Sequence, residues 1–252
     1  MKRLWTSLAA ACAVFSGHAV HAAPAAADAQ AALAAADRFR LGDEYLQVET
    51  VIRVLHADGT LDKERAYTVF TQGARKSLVL MRSPAEEGQK VLVLGDDFWL
   101  VLPGSKRPMR ITPLQKLLGD ASTGDIALMN WTGDYRVTES AQPECPTARP
   151  CRQLQLLAER KGLSYQRIEL WLGARHLEPL RAELYVQSDK LAKVAEFVMD
   201  RPEAPRQVAE MVLTDRLGAG KVTRVRYGAR VARKVPESWL NPMFLARQGS
   251  LE

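Results

Sequence analysis

Cysteine and histidine are scarce, at three and four residues in 252. Two of the histidines, His18 and His21, lie in an N-terminal leader, which leaves His56 and His176, each beside a turn and without a serine or cysteine nucleophile in an elbow-like setting. There is no His-x-x-x-His, CxxC or Asp-rich calcium loop, so a metal site is not expected. Gly218-Ala219-Gly220 is a lone Gly-rich turn with no helix after it, and so offers no phosphate cradle. Asp96-Asp97 sits at a hairpin tip and reads as a turn rather than a pair of catalytic carboxylates. These absences disfavour an enzyme, and neither cofactor nor metal is expected.

Charge of one sign is not concentrated either. The net charge is +6, with a pI near 9.3. Basic residues alternate with acids, as in Lys63-Glu64-Arg65 and Glu159-Arg160-Lys161. That pattern argues against nucleic acid and leaves a mildly basic surface compatible with transient contact with anionic membrane headgroups. No segment after the N-terminus approaches the roughly 18 apolar residues of a membrane span.

The N-terminus has Met1-Lys2-Arg3, an apolar stretch to about Val20, and Val20-His21-Ala22 before Ala23, the order of a secretory signal peptide. Residues 1–22 are therefore read as a signal, residues 23–250 as one domain, and Leu251-Glu252 as a possible cloning remnant. Lipid attachment at Cys12 is disfavoured, because Leu8-Ala9-Ala10-Ala11 has no large apolar residue three positions before it. Cys145 and Cys151 enclose a short Pro-rich loop, which in an exported chain reads as a disulfide. A soluble periplasmic protein is expected.

Ala25 to about Arg40 is Ala-rich and reads as a helix. From Leu46 the pattern becomes strands joined by tight turns, through Val48–Leu55, Arg65–Thr71, Ser77–Met81, Val91–Leu94 and Phe98–Leu102. Further strands follow at Tyr135 and from Leu154 to Val231, and Pro236-Glu237-Ser238-Trp239 opens a last helix. Between them, Pro113 starts a short helix with Leu114, Leu117 and Leu118 on one face, and Thr123 or Ser122 caps a second carrying Ile126, Met129 and Asn130. In Thr223–Val231 and Leu180–Val186, apolar residues alternate with charged ones, so these strands have one wet face. The expected architecture is mainly β (α+β): a single antiparallel, unclosed half-barrel of about 11 strands with short helices covering the concave face.

The strands Leu78-Val79-Leu80-Met81, Val91–Leu94 and Phe98–Leu102 lack a polar face at any period and must be covered on two sides. Either the inserted helices plug the barrel, or they form a movable lid over a cavity for acyl chains. On the second reading the apolar site comprises Leu78, Leu80, Leu92, Leu94, Phe98, Leu100, Leu102, Leu114, Leu117, Leu118, Ile126, Met129 and Trp131.

The order of signal peptide, meander, Phe98-Trp99-Leu100-Val101-Leu102-Pro103, Lys106-Arg107, Gly119-Asp120-Ala121-Ser122-Thr123-Gly124-Asp125-Ile126 and Tyr135 resembles the periplasmic outer-membrane lipoprotein-sorting (LolA-like) family. Glu178–Tyr185, Gln207–Thr214, Gly220-Lys221-Val222-Thr223 and Pro236-Glu237-Ser238-Trp239 resemble that family's closing strands and C-terminal helix. The resemblance implies a carrier that binds lipid or the acyl chains of lipoproteins in an apolar cavity. It would move them between inner and outer membranes, with an inner-membrane exporter or outer-membrane acceptor as partner. The alternative is a sensor or interaction module of the same fold that binds a signalling or exporter partner without shuttling lipid. Cys145/Cys151 and Thr123-Gly124 depart from the family pattern.

Overall fold

The computed structural model describes residues 23–42, 44–73, 75–118, 121–122, 125, 130–139, 144–146, 149–160, 162–218, 222–249 and 251. The leader, Ile126 and Met129 lie outside them.

Helix α1 (Ala23–Leu41) forms where expected. Its buried residues Ala29, Ala32, Leu33 and Ala36 follow helical spacing; the small alanines let the helix lie close to the sheet, and Leu33 is fully buried in the core. Arg38 and Arg40 in its last turn complement the helix dipole.

The chain continues through β1 (Tyr45–Leu55), β2 (Leu61–Gln72), β3 (Lys76–Met81), β4 (Lys90–Leu94), β5 (Asp97–Val101) and β6 (Met109–Ile111). A two-stranded piece, β7 (Lys116–Leu118) and β8 (Ala121–Ser122), follows. The second half comprises β9 (Tyr135–Glu139), β10 (Cys151–Ala158), β11 (Arg167–Gly173), β12 (Pro179–Tyr185), β13 (Leu191–Met199), β14 (Val208–Asp215) and β15 (Val222–Val231). Thirteen strands form one antiparallel sheet ordered β6-β5-β4-β3-β2-β1-β15-β14-β13-β12-β11-β10-β9. Two meanders are thus joined by the β1–β15 pair, and the sheet stays unclosed, with β6 and β9 at its edges.

The concave face carries the main core, and α1 packs into it: Leu33 belongs to one buried cluster with Val48, Ile52, Val69, Leu156, Leu170 and Leu213. A second apolar cluster covers the convex side of β2–β5. There Phe70, Leu78, Leu80, Leu92 and Val101 meet Val235, Trp239, Leu240, Leu245 and Leu251 of the C-terminal segment. Strands β3–β5 therefore have no polar face because they are buried on both sides. Leu251, set apart in the sequence as a possible remnant, is part of this packing.

The C-terminal segment is a 3₁₀ turn (Glu237–Leu240) followed by α2 (Pro242–Arg247). The helix starts at Pro242 rather than near Pro236, because the Asn241 side chain accepts from the amides of Met243 and Phe244 at 2.9 and 3.1 Å. Buried Lys90 donates to the carbonyls of Gln248 and Gly249, each at 3.0 Å, and ties this segment to the sheet.

The helix expected from Pro113 does not form. Residues 113–114 turn, and Lys116–Leu118 pairs with Ala121–Ser122 instead. A segment of about six residues cannot recover the cost of helix nucleation without strong packing. Further on, Ser122 makes the reciprocal hydrogen bonds of a capping box with Asp125: its amide donates to Asp125 Oδ2 at 2.9 Å, and its hydroxyl accepts from the Asp125 amide at 3.4 Å. The helical cover described over the concave face is mainly α1.

Candidate functional site: a covered cavity in the half-barrel

Under the Trp131 side of the cover, the concave sheet encloses a narrow cavity. Its apolar wall is Trp131, Ile168, Leu184, Phe197 and Met211, with Ala182 and Ala195 between them. Trp131 meets Phe197 edge-on, with ring centroids 6.0 Å apart. The space left inside is ≈ 50 Å³, enough for a few water molecules but not for an acyl chain.

The polar rim consists of Arg40, Asp125, Asn130, Tyr135, Ser164 and Tyr165. Two buried acids stand at the cavity, and each uses a partner distant in sequence. Asp37 on α1 accepts from the amide of Trp131 at 3.0 Å, the amide of Thr132 at 2.8 Å and the Thr132 hydroxyl at 2.6 Å. Arg40 pairs with the other Asp37 oxygen at 3.0 Å and lies over the Trp131 ring, 3.8 Å from its centroid. Burial raises the Asp37 carboxyl above the usual carboxylate range, against the pull of Arg40 and the Thr132 and Trp131 donors.

Asp125 is held from the sheet. Lys193 on β13 donates to its Oδ2 at 2.6 Å, and Tyr165 donates to its Oδ1 at 3.2 Å. The Lys193 and Asp125 side chains are each only 7% exposed. Burial, followed by the Asp125 charge, pushes the Tyr165 phenol well above its ordinary value. The Tyr135 phenol is raised by burial first and by Asp134 second, and it donates to the Tyr165 carbonyl at 3.0 Å. Ser164 is 6% exposed, and its hydroxyl has no hydrogen-bond partner.

A third polar group joins the two arms of the open sheet. Asp134, just before β9, accepts from Arg160 at 2.6 Å and from Arg75 in the β2–β3 turn at 2.7 Å. Arg160 also pairs with Asp96 in the β4–β5 turn. The β9–β10 loop is closed by the Cys145–Cys151 disulfide and pinned by the Trp171 indole, which donates to the Glu144 carbonyl at 2.8 Å.

Of the residues named from sequence, the structure brings Phe98, Leu100 and Trp131 to the concave core. Leu78, Leu80, Leu92 and Leu94 face the opposite way, into the convex cluster under the C-terminal segment. Their neighbours Val79, Met81, Val91 and Val93 line the concave side instead. The correction follows from strand periodicity. Where both faces are apolar, the pattern does not mark which alternate residues point inward. Leu102 lies in a convex groove beside Lys106 and Met243, and Leu114 is exposed. Leu117 and Leu118 lie on β7. The sequence reading missed Asp37, Arg40, Lys193, Ser164 and Tyr165. Two signals were available: Asp37 on the apolar stripe of α1, and Lys193 in phase with Ala195 and Phe197.

A family model described as an uncharacterized protein matches residues 73–247, and the chain belongs to that family. A LolA superfamily protein from Nitrosomonas europaea is 28% identical, with a TM-score of 0.76 over 84% of this chain and 97% of its own. This chain is similar to that LolA superfamily protein over most of its length. A domain from Vibrio parahaemolyticus, described as an outer membrane lipoprotein-sorting protein domain, is 18% identical with a TM-score of 0.69, over 88% of this chain and all of that one (100%). A DUF1329 family protein from Desulfovibrio piger is 18% identical with a TM-score of 0.69, over 86% of this chain and 97% of its own. The last two share the LolA fold with this chain. No curated protein matches. Among the described residues, no helix is long and apolar enough to cross a membrane, and no cluster of His, Cys, Asp and Glu has the makings of a metal site.

Proposed function

We propose that this chain carries lipid, or the acyl chains of a lipoprotein, on the concave face of its half-barrel through the bacterial periplasm. The observation that carries the reading is how the concave face is filled. A helix whose buried stripe is Ala29, Ala32, Ala36 and one large residue, Leu33, packs into it, and Asp37 and Asp125 make buried polar contacts beside the cavity. The alanines have little apolar surface to lose when the helix moves, and its movement carries Arg40 away from the cavity walled by Ile168, Leu184, Phe197 and Met211. An acyl chain buried there contributes about 0.8 kcal/mol per methylene before the costs of association. Buried ion pairs are poor sources of net stability and are better suited to specifying one of two arrangements.

The leader-like N-terminus and the Cys145–Cys151 disulfide support an oxidising, exported setting. The likeness to the Nitrosomonas europaea LolA superfamily protein supports a carrier over a catalyst.

The small free volume favours a second reading, in which the cover stays in place and the protein acts as an interaction module for a signalling or exporter partner. Native mass spectrometry with lipid extraction, on mature protein purified from periplasm without detergent, separates the two. Co-purifying lipid or acylated peptide supports the carrier. A clean apo mass that persists after incubation with membranes contradicts it.

A further inference from the structure

Lys193 is a lysine placed inside the half-barrel, on the same face of β13 as Ala195 and Phe197, and directly opposite Leu184 on β12. A cation in that position requires a charged partner, and the partner in this structure is Asp125. The Asp125 carboxylate is engaged at both oxygens. Lys193 and the Ser122 amide and hydroxyl donate to Oδ2, at 2.6, 2.9 and 2.7 Å, and Tyr165 donates to Oδ1. Lys193 and Tyr165 belong to the second meander of the barrel, whereas Ser122 ends the short strand β8 outside the main sheet. The Ser164 hydroxyl, which lines the same cavity as Asp125 and is more than nine-tenths buried, has no partner.

We propose that Lys193, Tyr165 and Ser164 form a site for the carboxylate headgroup of a single-chain amphiphile, and that Asp125 occupies it in the covered protein as an internal substitute for that headgroup. The proposal rests on the acyl-carrier reading above and names the chemistry of its ligand. The geometry suits a head-and-chain molecule. The cation stands at one end of an apolar strip that runs from Lys193 through Ala195 to Phe197, roughly 13 Å along the strand, with Met211 opposite Phe197. An entering carboxylate takes the hydrogen bonds of Lys193 and Tyr165, gains the unused Ser164 donor, and displaces Asp125. Ligand binding and release of Asp125 are then one event, because the same two side chains serve both carboxylates.

The test measures binding of palmitate, of hexadecanol as its neutral-headed counterpart, and of acetate as a chainless carboxylate, to the full mature chain by isothermal titration calorimetry. Asp125→Asn keeps the shape of the side chain but withdraws the competing charge. It is expected to tighten palmitate binding by about tenfold or more, while hexadecanol binding stays within about twofold and acetate remains undetected. Lys193→Gln is expected to erase the preference for palmitate over hexadecanol, and Lys193→Arg to retain it, which separates loss of charge from loss of fold. Equal affinity for palmitate and hexadecanol in Asp125→Asn overturns the headgroup site while leaving acyl binding intact. Acetate binding as well as palmitate also overturns it, since the site then takes free anions. Failure of every variant and the parent to bind either chain overturns the carrier reading and the headgroup site with it.

Discussion

Asp37 on α1 accepts two hydrogen bonds from Thr132, from the hydroxyl at 2.6 Å and the amide at 2.8 Å, across 95 residues of chain. This contact fastens the N-terminal helix to the chain that leads into β9, so the plug of the half-barrel and the wall beside its opening behave as one piece. Four donors converge on one carboxylate that is almost wholly buried. Asp37→Ala should therefore lower stability by about 3 kcal/mol, since it removes a buried ion pair with Arg40 and the acceptor of the Trp131 amide and the Thr132 hydroxyl. Urea unfolding measures the loss, and a change below about 0.5 kcal/mol would show that the contact is not needed to hold α1.

The same residue gives a pH dependence of definite sign. Burial raises the Asp37 pKa in the folded protein, so between its unfolded value and that raised value the native state holds a proton that the unfolded state has released. Stability from this group is fully present below the unfolded carboxylate range and falls as pH rises through the window above it. The stability difference between the parent and Asp37→Asn, followed by urea unfolding from about pH 3.5 upward, should shrink with rising pH. A difference that grows with pH contradicts the raised value.

The convex face of β3–β5 and the cavity wall on β13 should separate stability from binding. Leu92→Ala, beneath the C-terminal segment, should cost about 2–4 kcal/mol and leave acyl binding unchanged in the folded protein. Phe197→Ala, on the cavity wall, should reduce acyl binding at least as sharply as it reduces stability. Comparable binding losses in the two variants, measured at a temperature where both are folded, would place the ligand elsewhere.

The Cys145–Cys151 bridge closes a short loop next to the edge strand β9, with the two cysteines six positions apart. Its chain-entropy contribution is about 2 kcal/mol for a loop of this length. Cys145→Ser/Cys151→Ser should lower stability by about that amount in non-reducing buffer, and the parent should drop to the same level in reductant. A double variant as stable as the oxidised parent would indicate that the Trp171–Glu144 hydrogen bond is enough to hold the loop.

Much of the architecture could be read from local patterns. The helix of residues 23–41 is an Ala-rich stretch with one small apolar stripe, and strands such as β12 and β15 alternate cleanly because one face meets water. The phase of β3 and β4 was not legible, since Leu78 and Val79 are equally buried on opposite faces. Only the packing of Trp239 and Leu245 against one of those faces decides it. The site was less legible still. Asp37 with Trp131 and Asp125 with Lys193 are pairs separated by 94 and 68 residues, and no local spacing joins them. The marks they left were a single acid on the helix stripe and a single lysine on an apolar strand face. Either alone also fits a satisfied core residue.

The account turns on the concave cavity being the place where an acyl chain is held. Photo-crosslinking with a palmitate analogue carrying a diazirine near the end of its chain, followed by peptide mapping, tests this directly. Labelling concentrated on peptides containing Ile168, Leu184, Phe197 or Met211 is the expected result. Labelling confined to the convex groove of Leu102, Lys106 and Met243, or none above that of a denatured control, would contradict it.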